Sequence, residues 1–120
     1  MIHVLLVDDD LSFRRSLMIQ MELEGCKVTE ADSGRDAVSK LEYSEKKGLF
    51  PDVVVTDMRM PEMDGTEFLK VLKDQYPQMP VVVMSAFEPP DDIPLELFLH
   101  KPFKIVNMME TVTHVIGKLQ

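Results

Sequence analysis

Short runs of Val, Ile and Leu alternate with stretches of helical periodicity, and this rhythm constrains the fold of the 120-residue chain more than any other feature. The apolar runs fall at residues 2–7, 27–31, 53–56, 81–84 and 97–99. Continuous runs of this length suit strands buried on both faces. The first helical stretch places Phe13, Leu17, Met18 and Met21 on one side and stops at Gly25, a residue suited to the turn after a helix. The second opens with the capping pattern Ser33-Gly34-Arg35-Asp36 and runs through Ala37, Val38 and Leu41 to Lys46, Lys47 and Gly48. The third opens with Asp64-Gly65-Thr66-Glu67, packs Phe68, Leu69 and Leu72, and ends before Pro77. The last carries Ile105, Met108, Met109, Val112, Val115, Ile116 and Leu119 as an amphipathic stripe. Strand and helix in alternation imply right-handed crossovers and a parallel sheet covered on both faces. The expectation is an α/β, doubly wound, five-stranded parallel sheet forming one domain over residues 1–120.

Charge and composition narrow the function. Lys and Arg number 13 against 21 Asp and Glu, a net charge of −8. Such a surface repels phosphate backbones and anionic lipid, which argues against nucleic-acid or membrane binding. Cys26 is the single cysteine, so there is no disulfide framework and no thiolate-rich metal site; it reads as a small packed residue. His3, His100 and His114 show no metal spacing. No apolar run approaches the roughly 18 residues of a membrane span. The N-terminal apolar stretch lacks the basic residues and cleavage site of a signal peptide. A cytoplasmic location is expected.

In doubly wound sheets, ligands bind beyond the carboxyl ends of the strands. Those ends carry Asp8-Asp9-Asp10, Asp57, Ser85 and Lys101-Pro102. Two like charges 4 Å apart repel by about 4 kcal/mol at an effective dielectric of 20. Converging carboxylates therefore need a cation or a proton. An all-oxygen site with room for water suits Mg²⁺. Lys101 and the Ser85 hydroxyl can meet the oxygens of a tetrahedral anion, and an aspartate can serve as a phosphoryl nucleophile. Asp10 also reads as the cap of the first helix, with or instead of Ser12.

Taken together, these residues resemble the receiver domain of two-component response regulators. The resemblance rests on Asp8 and Asp9, on Asp57 within Asp57-Met58-Arg59-Met60-Pro61-Glu62-Met63-Asp64-Gly65, on Ser85-Ala86, and on Lys101-Pro102-Phe103. It spans nearly the whole chain and implies the flavodoxin-like strand order 2-1-3-4-5. It implies Asp57 as phosphoacceptor for a histidine of a sensor kinase or phosphotransfer protein. It further implies Mg²⁺ bound by Asp9, Asp57 and the backbone carbonyl of Arg59, with Asp8 binding it through water or orienting it. Lys101, behind a cis peptide bond to Pro102, and Ser85 would contact the phosphoryl group. Phe98 takes the aromatic switch position without a hydroxyl. Arg59 and Phe87 would flank the phosphoryl group, with Phe87 as a shield that slows hydrolysis. Lys104 stands where a polar cap often precedes the last helix. Met58, Met60 and Met63 read as adaptable packing, and Pro61 and Gly65 as turn residues.

The reading is a phosphorylation switch controlling a partner or an output domain C-terminal to Gln120, catalysing only its own phosphorylation and dephosphorylation. The alternatives are a phosphorylation-independent interaction module, and a Mg²⁺-dependent phosphohydrolase. The complete acidic and basic set opposes the first. Arg59, where the second would need a carboxylate, opposes the other. One departure stands out. A typical receiver has a full helix between its fourth and fifth strands, but here Pro89, Pro90 and Pro94 interrupt the connection. Pro89 and Pro90 exclude helix before Asp91. Pro94 fits only a first helical turn capped by Asp91 or Asp92, so a shortened or 3₁₀ element is expected. The face that many receivers use to dimerise or dock cannot then be assembled in the usual way. The first and last helices, or the reshaped connection, become the surfaces through which this chain would signal.

Overall fold

The computed structural model describes residues 1–59, 65–89 and 91–117. The elements are β1 (His3–Val7), α1 (Leu11–Leu23), β2 (Lys27–Ala31), α2 (Gly34–Lys47) and β3 (Val53–Asp57), then α3 (Gly65–Gln75), β4 (Val81–Ser85), a 3₁₀ turn (Leu95–Leu97), β5 (Phe98–His100) and α4 (Ile105–Gly117). The five strands pair in parallel, as the alternation predicts, and take the order β2-β1-β3-β4-β5 that the resemblance implies. The period-2 alternation of strand side chains divides the core into two layers. Val4, Leu6, Val53, Val55, Val82 and Met84 pack with Leu17 and Met21 of α1 and Met108, Val112 and Val115 of α4. On the other face Leu5, Val7 and Val54 pack with Ala37 and Leu41 of α2 and Phe68 and Leu72 of α3. Burial on both faces holds for the central strands, whereas β2 and β5, at the edges, are only partly covered.

The caps follow the local sequence. Asp10 Oδ1 accepts from the N–H of Phe13 (3.1 Å) and fixes the start of α1 beside the first strand end. Ser33 Oγ accepts from the N–H of Asp36 (3.0 Å), while Asp36 Oδ2 accepts from the N–H of Asp32 (3.1 Å). Gly25 (φ 93°) and Gly48 (φ 70°) close α1 and α2 in left-handed conformations that other residues resist. Lys104 supplies its carbonyl to the N–H groups of Asn107 and Met108. The expected cap at Asp64, the packing of Met60 and Met63, the turn at Pro61 and the stripe residue Leu119 lie outside the described residues.

The connection from β4 to β5 contains, among its described residues, one 3₁₀ turn and no α-helix. Its detail differs from the expectation in one respect. Pro94 precedes the helical turn instead of sitting inside one capped by Asp91 or Asp92, and its carbonyl accepts from the N–H of Leu97 (3.0 Å). Leu97 is thereby drawn into the turn, so β5 starts one residue later than its apolar run, at Phe98.

Candidate functional site

Parallel pairing brings the ends of β1, β3, β4 and β5 to one edge of the sheet. The N–H of Asp8 donates to the Ala31 carbonyl (3.1 Å), which carries the β1–β2 ladder one residue past the strand. Asp8 is wholly buried, Asp57 is 8% exposed as the last residue of β3, and Asp9 faces solvent. One carboxylate oxygen from each of Asp8, Asp9 and Asp57 lies within 4.8 Å of the others. Lys101 reaches this cluster from just beyond β5. Its Nζ is 3.0 Å from Asp8 Oδ2 and 3.5 Å from Asp57 Oδ1.

The ammonium also sits 4.0 Å from the centre of the Phe13 ring, which steadies it from α1. The peptide bond between Lys101 and Pro102 is cis, and the N–H of Lys101 donates to the Ser85 carbonyl (2.7 Å). Ser85 is buried at the end of β4, and its Oγ accepts from the N–H of Phe87 (3.1 Å).

Charge decides what such a cluster can hold. Three carboxylates and one ammonium leave −3 + 1 = −2, which one divalent cation would cancel. The donors are all hard oxygens, suited to Mg²⁺. Burial, opposed by Lys101 and assisted by the charges of Asp8 and Asp9, raises the pKa of Asp57 above the ordinary carboxylate value.

Arg59 is exposed, and its guanidinium stacks 3.8 Å from the centre of the Phe87 ring rather than entering the acidic cluster. Phe98 is partly buried on β5, paired in register with Val83. Three contributors escaped the sequence reading. Arg14, 8% exposed, donates from Nη1 to the Asp8 carbonyl (2.7 Å) and from Nε to Glu30 Oε1 (2.9 Å), and Phe13 carries Lys101. The signal for Arg14 was available: its spacing to Leu17 and Met21 places a guanidinium on the buried stripe of α1.

The family description "Response regulator receiver domain" matches residues 4–113. The chain belongs to this family. Among relatives, the C4-dicarboxylate transport transcriptional regulatory protein DctD of Pseudomonas aeruginosa is 34% identical over 123 residues, covering 95% of this chain and 25% of that protein. The sensor kinase CckA of Brucella abortus is 33% identical over 121 residues, covering 96% of this chain and 12% of that one. The receiver thus spans about a quarter or less of the length of these two curated relatives. Among solved structures, the chemotaxis response regulator CheY4 of Vibrio cholerae superposes with a TM-score of 0.81 at 28% identity, covering 96% of this chain and 98% of that one. A receiver domain protein from Clostridium thermocellum gives 0.84 at 22% identity, with 98% and 96% covered, which shows the shared fold. The receiver carries an acidic Asp8, Asp9 and Asp57 pocket consistent with a metal site. No helix among the described residues is long and apolar enough to cross a membrane.

Proposed function

We propose that this receiver accepts a phosphoryl group on Asp57 from a phosphohistidine of a sensor kinase or phosphotransfer protein, and thereby switches the state of a partner or output domain. The observation that carries this is the placement of Lys101 between Asp8 and Asp57 at the rim of a three-carboxylate cluster. In the transfer, an Asp57 carboxylate oxygen bonds to phosphorus, the P–N bond to the donor breaks, and the donor nitrogen keeps the electron pair. Lys101 would turn from Asp57 Oδ1 to a phosphoryl oxygen, and Ser85 would donate its hydroxyl to another. Asp9, Asp57 and the Arg59 carbonyl would hold Mg²⁺, oriented by Asp8, and that ion would supply the neutralisation an incoming phosphoryl group requires.

Phe87, with Arg59 stacked on it, would screen the acyl phosphate from water. The names of the relatives, transcriptional regulators and a sensor kinase, support a place in a phosphorelay. Intact mass after incubation with a small phosphodonor, with and without Mg²⁺, tests the assignment. Wild type should gain one phosphoryl group only with Mg²⁺, and Asp57→Asn none. Equal labelling of both proteins would remove Asp57 from the role, and no labelling of either would favour a phosphorylation-independent interaction module.

A further inference from the structure

We propose that the groove beside α3 is a docking site for an amphipathic helix of a partner protein, with acidic residues along the helix edge that lies against α3. The β4–β5 connection faces α3 across a groove, while its Leu97 packs on the core layer shared with α1 and α4. Because that connection holds a 3₁₀ turn in place of an α-helix among its described residues, a groove of about 720 Å³ opens between it and α3. Its lining is apolar through Leu69 and Leu72 of α3, Val81 of β4, and Ile93 and Leu97 of the connection. It runs from Thr66 to Tyr76, the length of α3, which is roughly 15 Å at 1.5 Å per residue.

The shape selects the occupant. The lining is mainly side chains of α3 facing side chains of the connection, a surface that meets the flank of a helix better than an added strand. A rod about two to three turns long with one apolar stripe fills it. A second copy of this chain is a poorer fit. Leu95, in the 3₁₀ turn between the lining residues Pro94 and Glu96, is 75% exposed, and one leucine does not fill a groove of this size.

The rims supply the polarity. Lys70 and Lys73 stand exposed one turn apart on α3, and neither makes an ion pair among the described residues. They are the charged residues that α3 contributes to the groove lining, on a chain of net charge −8. The opposite rim carries Asp92 and Glu96, the latter 3.7 Å from His114. The complementary helix is therefore acidic on its α3 edge and basic on the other.

Met58, the residue after Asp57, lines one end of the groove, and its N–H donates to the Met84 carbonyl (3.1 Å). Occupancy is thus placed to respond to the state of Asp57. This last step rests on the phosphoacceptor reading; the docking site itself does not.

A pool of helix-forming peptides of about three turns, with a fixed leucine stripe and randomised flanks, tests the site when selected on the full chain. Counter-selection uses Leu69→Glu, with its melting temperature checked. The expected peptides carry Asp or Glu on one flank and Lys or Arg on the other. Their binding, followed by fluorescence anisotropy, should weaken about three- to tenfold in Lys70→Glu/Lys73→Glu, a variant of exposed residues, and recover with flanks reversed.

Amide shifts on binding should fall in residues 65–75 and 91–97. No enrichment, or binding indifferent to the double lysine reversal, would overturn the proposal. So would sedimentation showing a wild-type dimer that Leu69→Glu disperses, which would assign the groove to a second copy. A separate arm compares peptide affinity with and without beryllofluoride and Mg²⁺. Equal affinities, in a protein whose Asp57 does take the label, would break the coupling alone.

Discussion

Asp57 combines burial with crowding by like charges. It is buried, and it faces the charges of Asp8 and Asp9, with Lys101 in opposition, so its pKa is raised. The folded state therefore holds this proton longer than the unfolded chain does. The stabilisation is fully present below the unfolded value and is lost as pH rises through the raised folded one. At neutral pH the ionised group is a net cost to the metal-free fold. Asp57→Asn should accordingly raise the melting temperature by a few degrees at pH 7 in chelator, with the gain fading toward acid pH. A lower melting temperature for the variant at pH 7 would show that the Lys101 contact outweighs the crowding. Mg²⁺ should reverse the order, because a ligand at 100 times its Kd adds about 2.7 kcal/mol, and the variant lacks one carboxylate to bind it. The neighbouring pair makes a kinetic prediction. Phe87 is 54% exposed and stacks under the Arg59 guanidinium, and the proposed function assigns the pair the role of screening the acyl phosphate. Phe87→Ala and Arg59→Ala should each speed loss of the phosphoryl group, and the double variant should decay no faster than the quicker single one. Additive effects would mean that the two act separately.

Between elements, the decisive tie is Arg14, which joins α1 to the ends of β1 and β2 at once. It holds the Asp8 carbonyl and Glu30 Oε1, and Arg15 grips the same carboxylate through two 3.0 Å contacts. Burial of Glu30 raises its pKa, yet the hydrogen bonds and charges of Arg14 and Arg15 outweigh this and leave it lowered. That lowered value stabilises the fold above the ordinary carboxylate pKa, and the contribution is lost as pH falls through the folded one. Arg14→Ala should cost about 2 kcal/mol, since it strands a buried carbonyl and half of a paired carboxylate. It should also weaken Mg²⁺ binding by releasing Asp8, and blunt the acid-side loss of stability. Unchanged Mg²⁺ affinity in a folded Arg14→Ala protein would reduce the arginine to a structural clamp. This tie marks the limit of what the sequence discloses. The strands were legible because Val, Ile and Leu cluster in short runs, and the site was legible because a parallel sheet gathers Asp8, Asp57, Ser85 and Lys101 at one edge. Pairing between Arg14 and Glu30 depends on the register of β2 against β1, which no local pattern encodes. The start of β5 was misread by one residue for a similar reason. Leu97 is equally apolar in a strand or a turn, and the hydrogen bond to the Pro94 carbonyl decides.

At the scale of the whole molecule, the sheet is unevenly anchored, and the site sits where that unevenness matters. Val4 to Val7 and Val53 to Val55 are buried in the centre between two helical layers. β5 is three residues long, lies at an edge, and is preceded by a connection whose described residues include no α-helix. Fewer buried contacts mean a lower free energy of local opening. Yet Lys101, the residue that follows β5, is tied to Asp8 and Asp57 across the sheet edge. The charge state of the acidic cluster is therefore expected to govern how firmly the last strand is held. Amide hydrogen exchange should show β1 and β3 opening only with global unfolding, and Phe98, Leu99 and His100 exchanging through an easier, separate opening. Lys101→Ala should lower protection at β5 selectively, leaving β1 and β3 close to wild type. Beryllofluoride with Mg²⁺ should raise protection at β5, because Lys101 gains a fixed anionic partner in place of a crowded carboxylate. Uniform protection across all five strands, unmoved by either change, would show that β5 is anchored by packing alone and that the site has no mechanical hold on that edge.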